Sequence, residues 1–338
     1  MAKGEEFQQV KPGVGDFTRG FRQLSNPLVF DAGLAVDLNN VNCHNPPILS
    51  VRRGRAALST DPADDAVFLG EYRKQNGTYF LIRGLGSTGE LSYWNGSTWT
   101  SIGSMTAYMP VYGLVYPHDD IIIFGDSLLM KKWDGTTFSD LGGSPPKLTC
   151  LEVHLNRVWG VHELTNVHYS AAATSSDWST TDDAGDFEVD NAGGDAVTAI
   201  KAYGRKLFIW TQGSMLALLG DGPWNFDLVE VYPDAGCWSH FSVINLKNRL
   251  YWYGPRGVWE YALGTRPRLI SEDWMNTILA DADPNEVARI SAGSDGIQYR
   301  LSLPGMTQNQ ELIFDPRFNS WWKNEDQTYH RYLYWRRP

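Results

Sequence analysis

The sequence has few cysteines and no long apolar run. Its 338 residues include three cysteines, Cys43, Cys150 and Cys237, which are far apart and form no CxxC pair. This spacing excludes a disulfide framework, and we expect reduced, buried thiols in a protein assembled in a cytosol. No stretch approaches the ~18 apolar residues of a membrane span. The N-terminal MAKGEEFQQVKPG has no apolar core, so we also expect no secretion signal.

Motifs of the common catalytic sites are missing as well. The chain has no HExxH, no GxSxG and no P-loop motif. One GxGxxG pattern occurs at Gly84, Gly86 and Gly89, but the strand-like ELSYWNG follows it where a dinucleotide site needs a helix. We interpret it as a hairpin loop. His162 and His168 could approach each other across a turn, yet we expect ordinary strand histidines, and we predict no enzyme, metal or cofactor.

Charged residues form a few clusters in an acidic chain. The formal net charge of −10 favours solubility and disfavours a protein that reads DNA sequence. It leaves open a protein that lines a path along which DNA slides. The acidic clusters could hold Ca²⁺, but without EF-hand spacing we interpret them as solvated loops. They are Asp61, Asp64 and Asp65, then Asp182, Asp183 and Asp186; the basic clusters are Arg52, Arg53 and Arg55, then Arg331, Arg336 and Arg337.

Glycine and aromatic residues are abundant, and they recur at intervals. YWNGSTWTSIG at 93–103 and KWDGTTFSDLG at 132–142 share an order: aromatic, Asn or Asp with Gly, Ser or Thr, Thr, then aromatic. Four short strand-like runs precede or include each segment, and the period of about 40 residues matches one propeller blade. The fold class that we predict is all-β, a β-propeller of about six (five to seven) four-stranded blades with an extended N-terminal arm and one short helical insertion.

The two ends of the chain differ from the repeats. We predict an extended docking arm over 1–47 and the propeller over 48–338. Strands near 48–58 and 328–335 could close the ring together, which would also join the two basic clusters. The one helix signal lies in SEDWMNTILADADP at 271–284, with Ser271 as its predicted N-cap.

Most aromatic residues fall inside the strand-like runs. Packing is therefore favoured over stacking on a ligand for Trp210, Trp252, Trp259, Tyr251 and Tyr253. A propeller that binds a host-surface glycan or protein would instead expose aromatic residues on one rim. A propeller glycosidase or lyase would bring carboxylates together in the central channel. Both remain alternatives.

The order of the units resembles the propeller proteins of tailed-bacteriophage virions, of the packaged-DNA-stabilisation, tail-nozzle or tail-hub type. In the arm the resemblance rests on FTRG at 17–20, NPL at 26–28, AVDLNNV at 35–41 and RRGR at 52–55. In the repeats it rests on RVWGVHELTNVHYSAAATSSDWST, AVTAIKAYGRKLFIWTQGSMLALLG and GCWSHFSVINLKNRLYWYGPRGVWEYAL. The chain is short for a nozzle and has no obvious second domain.

The resemblance implies a structural protein of the virion, made in the host cytoplasm and placed in the tail or at the head–tail junction. Its implied partners are copies of itself in a ring, expected to be hexameric, together with portal, adaptor or other tail proteins. Non-specific contact with phage DNA is implied, and membrane insertion is not. The implied interface residues are Phe17, Arg19, Leu28, Asp37 and Asn40 in the arm and Arg52, Arg53 and Arg55 in the basic strand.

Overall fold

Six four-stranded antiparallel sheets follow one another along the chain and form a ring, as the repeat predicted. The fold is a β-propeller. The computed structural model describes residues 41–45, 48–51, 58, 64–190, 194–271, 275–325 and 331–333. In every blade the strands pair in chain order. The first strands of blades 1 to 4 lie side by side in that order, as do the first strands of blades 5 and 6.

The first three blades contain twelve strands, β3 to β14. In each blade a hairpin joins every strand to the next, except that a longer insertion separates the last two strands of blade 3. The bounds are, for blade 1, β3 Ala66–Arg73, β4 Tyr79–Leu85, β5 Glu90–Trp94 and β6 Trp99–Ser104; for blade 2, β7 Tyr112–Tyr116, β8 Ile121–Gly125, β9 Met130–Trp133 and β10 Phe138–Asp140; for blade 3, β11 Thr149–His154, β12 Arg157–His162, β13 Asn166–Tyr169 and β14 Gly185–Glu188.

The last three blades contain strands β15 to β26, and a short hairpin, β1 and β2, precedes all six blades. The bounds are, for blade 4, β15 Val197–Tyr203, β16 Lys206–Thr211, β17 Met215–Leu219 and β18 Asp227–Tyr232; for blade 5, β19 Ile244–Leu246, β20 Arg249–Gly254, β21 Gly257–Tyr261 and β22 Arg268–Leu269; for blade 6, β23 Ser291–Ser294, β24 Tyr299–Leu303, β25 Gln310–Asp315 and β26 Ser320–Glu325; for the hairpin, β1 Val41–Asn45 and β2 Ile48–Val51.

The repeated Asn-Gly and Asp-Gly dipeptides form the turns before the last strands of blades 1 and 2. Asn95 Oδ1 accepts hydrogen bonds from the backbone N–H of Ser97 and Thr98, and Asp134 Oδ1 accepts the equivalent pair from the two residues after its glycine. Gly96 has φ +104°, a region that favours glycine. The side chain thus closes the turn while glycine supplies the backbone conformation, which explains why the dipeptide recurs.

Buried apolar clusters fill the spaces between neighbouring blades. The cluster between blades 4 and 5 is rich in tryptophan: Trp210 and Trp252 lie with ring centroids 5.4 Å apart, and Trp252 and Trp259 are stacked across adjacent strands. Trp252 Nε1 also donates to the Gly236 carbonyl at 3.1 Å. This confirms the prediction that these aromatic side chains serve packing, as do Tyr251 and Tyr253 in the cluster between blades 5 and 6.

The C-terminal segment 331–333 packs on the face of blade 6 that points away from blade 5. Gly293, Ile313 and Trp322 form one row across that face. A Cβ on Gly293 would lie 2.2 Å from Tyr332 Cβ, so glycine is needed for the close approach, and Tyr332 donates a hydrogen bond to Glu311 at 3.1 Å. Residues 331–333 are not in a strand, and β2 pairs with β1. The rest of the predicted pairing of chain ends lies outside the described residues and stays a prediction.

The predicted helix is shorter than its signal suggested, and Ser271 is not its N-cap. Helix α1 covers Asn276–Ala280, and Met275 occupies the N-cap position. Ser271 is buried instead, and its hydroxyl accepts the Val258 N–H at 2.7 Å. The serine hydroxyl therefore satisfies a buried N–H of blade 5 and is used within the blade rather than at the helix.

A buried histidine at the end of β11 makes the stability of the propeller depend on pH. His154 is 6% exposed and packs on Trp159, and burial lowers its pKa to about 4 from 6.5. The unfolded chain therefore binds a proton at this site before the folded one does. The unfolding free energy is therefore unaffected by this histidine above about pH 6.5, and it falls as the pH drops from there toward 4.

We expect His154→Leu to remove this part of the pH dependence. Between pH 7 and pH 5 the wild type should lose about 2 kcal/mol more unfolding free energy than the variant does. Urea unfolding at the two pH values measures the difference. His118→Leu is the matched control, because His118 is exposed. An identical loss in the wild type and His154→Leu would contradict the assignment.

Candidate functional site

Side chains from opposite blades meet at the centre of the ring. Tyr112 begins the inner strand β7 of blade 2, and Phe241 lies in the 3₁₀ turn His240–Ser242 that leads into blade 5. Their rings stack with centroids 4.8 Å apart and planes 17° from parallel. Because blades 2 and 5 face each other across a six-blade ring, this contact closes the centre at the end where the inner strands begin.

Arg331 and His240 complete the closure. The Arg331 guanidinium lies 3.4 Å from the centroid of the Phe241 ring and donates to the Ala288 carbonyl at 3.2 Å. Burial lowers the pKa of Arg331 to about 10, and burial together with the nearby cations Lys201 and Arg331 lowers that of His240 to about 3. His240 is therefore neutral at physiological pH, and the central group has one positive charge from Arg331.

The carboxylates of the inner strands do not form a pair suited to acid–base chemistry. The described inner strands carry Glu71 on blade 1 and Glu152 on blade 3. Glu152 is bound to Lys201 at 2.6 Å, and Glu71 accepts a hydrogen bond from the Tyr79 hydroxyl. Glycosidases use two carboxyl groups that face one bond, whereas these two are on non-adjacent blades and each already has a partner.

A cationic cleft of about 480 Å³ lies between blades 5 and 6, at the ring end opposite the closed one. The β19–β20 turn, with Lys247, forms one wall. Lys247 and Asn248 both adopt positive φ, and this turns the chain sharply between the two strands. The β25–β26 turn, with Arg317, forms the other wall. The remaining lining residues are Arg249, Tyr251, Glu260, Arg268, Phe314, Pro316 and Asn319.

Glu260 organises the arginines of this cleft. Its side chain is 7% exposed, and its Oε1 lies 2.5 Å from Arg249 and 3.3 Å from Arg268, whose side chains are about half exposed. The Tyr251 hydroxyl donates to its other oxygen at 3.0 Å. Burial and the adjacent carboxylate raise the pKa of Tyr251, so the hydroxyl keeps its proton. Each guanidinium is thus fixed on one side and presents its other N–H groups to solvent.

The net charge of the cleft is positive. Lys247, Arg249, Arg268 and Arg317 face two carboxylates, Glu260 and Asp315, which leaves a charge of +2 on a chain whose net charge is −10. Arg317 is held by Asp315, which is fully buried. No motif in the sequence predicts this cleft. Lys247, Arg249 and Arg268 of blade 5 lie between 49 and 70 residues before Arg317 of blade 6, although their positions in or beside strand-connecting turns are visible in the repeat.

The predicted interface residues Phe17, Arg19, Leu28, Asp37, Asn40, Arg52, Arg53 and Arg55 all lie outside the described residues. Those predictions stay open. Of the C-terminal basic cluster, Arg331 is described, and it lies at the ring centre.

The GxGxxG pattern and the histidine pair lie in ordinary strands and turns. Gly84 lies in β4, and Gly86 and Gly89 lie in the β4–β5 hairpin, as expected. His162 and His168 do approach each other, with ring centroids 5.4 Å apart. Within the described ranges, however, no three His, Cys, Asp or Glu side chains are grouped to hold a metal ion. Nor does that part of the chain contain a helix long and apolar enough to cross a membrane.

Comparison with known proteins supports the fold and goes no further. No family model and no curated protein matches the chain. The extracellular domain of a one-component system from B. thetaiotaomicron is similar over 81% of this chain, with a TM-score of 0.52 and 10% identity. The match covers 37% of that domain, so this chain spans little more than a third of its length. Virginiamycin B lyase from Staphylococcus aureus is similar over 76% of this chain, with a TM-score of 0.46 and 13% identity. At 10% identity the first of these two likenesses shows a propeller fold alone.

Proposed function

We propose that this chain is a structural protein of a tailed-bacteriophage virion, placed in the tail or head–tail connector. Copies would assemble as a ring around the path of the DNA and bind neighbouring virion proteins. The sequence support is the resemblance in the arm and in three consecutive units, which correspond to blades 3, 4 and 5 in the expected order.

That resemblance is the observation on which the proposal rests, and the closed ring centre limits where a DNA path could lie. The Tyr112–Phe241 contact fills the centre of the ring at the end where the inner strands begin. DNA cannot pass through a single propeller closed in this way. The major groove of a duplex alone is about 12 Å wide, whereas the two rings at the centre are stacked in contact. A DNA path would therefore have to lie between copies, and the outer surfaces of the propeller would do the binding.

The composition of purified particles tests the proposal. We expect mass spectrometry of particles from the phage or prophage that encodes the chain to find it in several copies per particle. Immunogold electron microscopy should place it at the tail or head–tail junction. A phage-encoded protein that is not packaged serves as the control for contamination. Absence of the chain from intact, infectious particles would overturn the proposal.

A further inference from the structure

We propose that the cationic cleft between blades 5 and 6 binds the acidic edge of blade 3 on a second copy of the chain. The acidic edge is defined here as the exposed carboxylates Asp182, Asp186, Glu188 and Asp190, which lie on and beside the outermost strand β14. This inference rests on the proposed function, because it names the contact through which copies would assemble.

The cleft is already organised for carboxylates. Arg249 and Arg268 are held by the buried Glu260, so little side-chain freedom remains to be lost when a ligand binds. A guanidinium held on one side still offers parallel N–H groups, the arrangement that binds a carboxylate through two hydrogen bonds. Lys247 adds an exposed charge at the mouth of the cleft. The cleft therefore has the charge and donor geometry for acidic side chains.

The acidic edge has the opposite charge and is exposed to solvent. Asp186 and Glu188 are two residues apart on β14, so both side chains point to the same face of the blade. Asp186 accepts a hydrogen bond from the Asn166 side chain at 2.9 Å and stays exposed. Like charges so close together raise the free energy of the isolated chain, and a cationic partner would relieve that repulsion.

The two surfaces lie on different sides of the ring. Blade 4 and part of blade 5 separate them one way round, and blades 6, 1 and 2 the other way. Two different patches on different sides of one molecule give a head-to-tail contact, which is the type that closes a cyclic ring. A self-complementary dimer would need one patch that matches itself, and neither surface does.

The net charge of the chain favours this partner over nucleic acid. At −10, two copies repel each other unless oppositely charged patches meet. A nucleic acid would meet the same overall repulsion along a much longer charged backbone, for which a single cleft of charge +2 offers few phosphate contacts.

Two charge-reversed proteins and their mixture test the contact. The cleft variant is Lys247→Glu with Arg268→Glu, which leaves Arg249 and Tyr251 bound to Glu260. The edge variant is Asp186→Lys with Glu188→Lys. Light scattering and sedimentation of the full chain at low salt should show self-association of the wild type, weakened at least about tenfold in each variant. Mixing the two variants should restore association, because the acidic cleft of one then meets the basic edge of the other.

Matched controls change the same number of charges elsewhere. Arg73→Glu with Arg256→Glu reverses two exposed cations away from the cleft, and Asp227→Lys with Glu230→Lys reverses two exposed acids on β18 of blade 4. Both controls should associate like the wild type, and circular dichroism should show all variants folded. Association should also fall as salt is added.

Three outcomes would overturn the inference: a wild type that stays monomeric at all concentrations, cleft and edge variants that associate like the wild type, or a mixture that fails to restore association. The test of this contact and the test of the proposed function can fail independently. If the chain is present in particles but the charge reversals have no effect, the ring is held by another surface. If the chain is absent from particles yet the mixture rescues association, the contact stands and the virion role fails.

Discussion

Trp252→Ala should destabilise the propeller by about 4 kcal/mol, the largest effect that we expect from one substitution. Trp252 is fully buried between blades 4 and 5, where it contacts Trp210 and Trp259. The substitution removes the ring, leaves a cavity that rigid strands cannot fill, and leaves the Gly236 carbonyl without the indole N–H at 3.1 Å. Urea unfolding followed by tryptophan fluorescence and circular dichroism measures the loss.

Trp224→Ala is the matched control for this prediction. Trp224 is 77% exposed in the turn before β18, so the same substitution should change the unfolding free energy by no more than about 0.5 kcal/mol. Equal losses in the two variants would mean that the cluster between blades 4 and 5 does not carry the stability that its burial indicates.

The blades could be predicted because their signals are local. Alternating apolar residues set the strands, and Asn95-Gly96 and Asp134-Gly135 set the turns within a few residues of each other. The helix was predicted too long because the use of Ser271 is decided by Val258, a residue of a neighbouring strand. A capping signal read along the chain does not include a buried N–H that competes for the same hydroxyl.

The candidate sites could not be predicted because they join residues that are distant in the sequence. Tyr112 and Phe241 meet only because blades 2 and 5 face each other across the ring. Arg249 and Arg317 share a cleft only because a turn of blade 5 faces a turn of blade 6. No spacing rule connects such pairs. Their residue types are also ordinary for strand ends, so the signal appears once the ring is known.

The acidic insertion of blade 3 is a second place where a sequence pattern and a structural role differ. Asp182, Asp183 and Asp186 were expected to be a solvated loop, and Ca²⁺ binding was the alternative. The structure gives Asp183 a specific partner: its carboxylate lies 2.5 Å from Arg157, whose side chain is 5% exposed and also donates to the Ser170 carbonyl. Asp183 therefore neutralises a buried guanidinium and fixes the insertion to β12.

Asp183→Asn should consequently cost about 3 kcal/mol of unfolding free energy, because it leaves a buried positive charge without its counter-ion. The value is at the low end for buried pairs, since the Asp183 side chain is 40% exposed and water can partly replace it. Asp182→Asn is the control: Asp182 is exposed with φ +67°, a conformation that asparagine tolerates, so its effect should stay within about 0.5 kcal/mol.

Urea unfolding with and without Ca²⁺ separates the two roles. If the carboxylates acted together on Ca²⁺, the ion would stabilise the wild type and both substitutions would abolish that gain, whereas an ion pair with Arg157 predicts no effect of Ca²⁺ and a loss in Asp183→Asn alone.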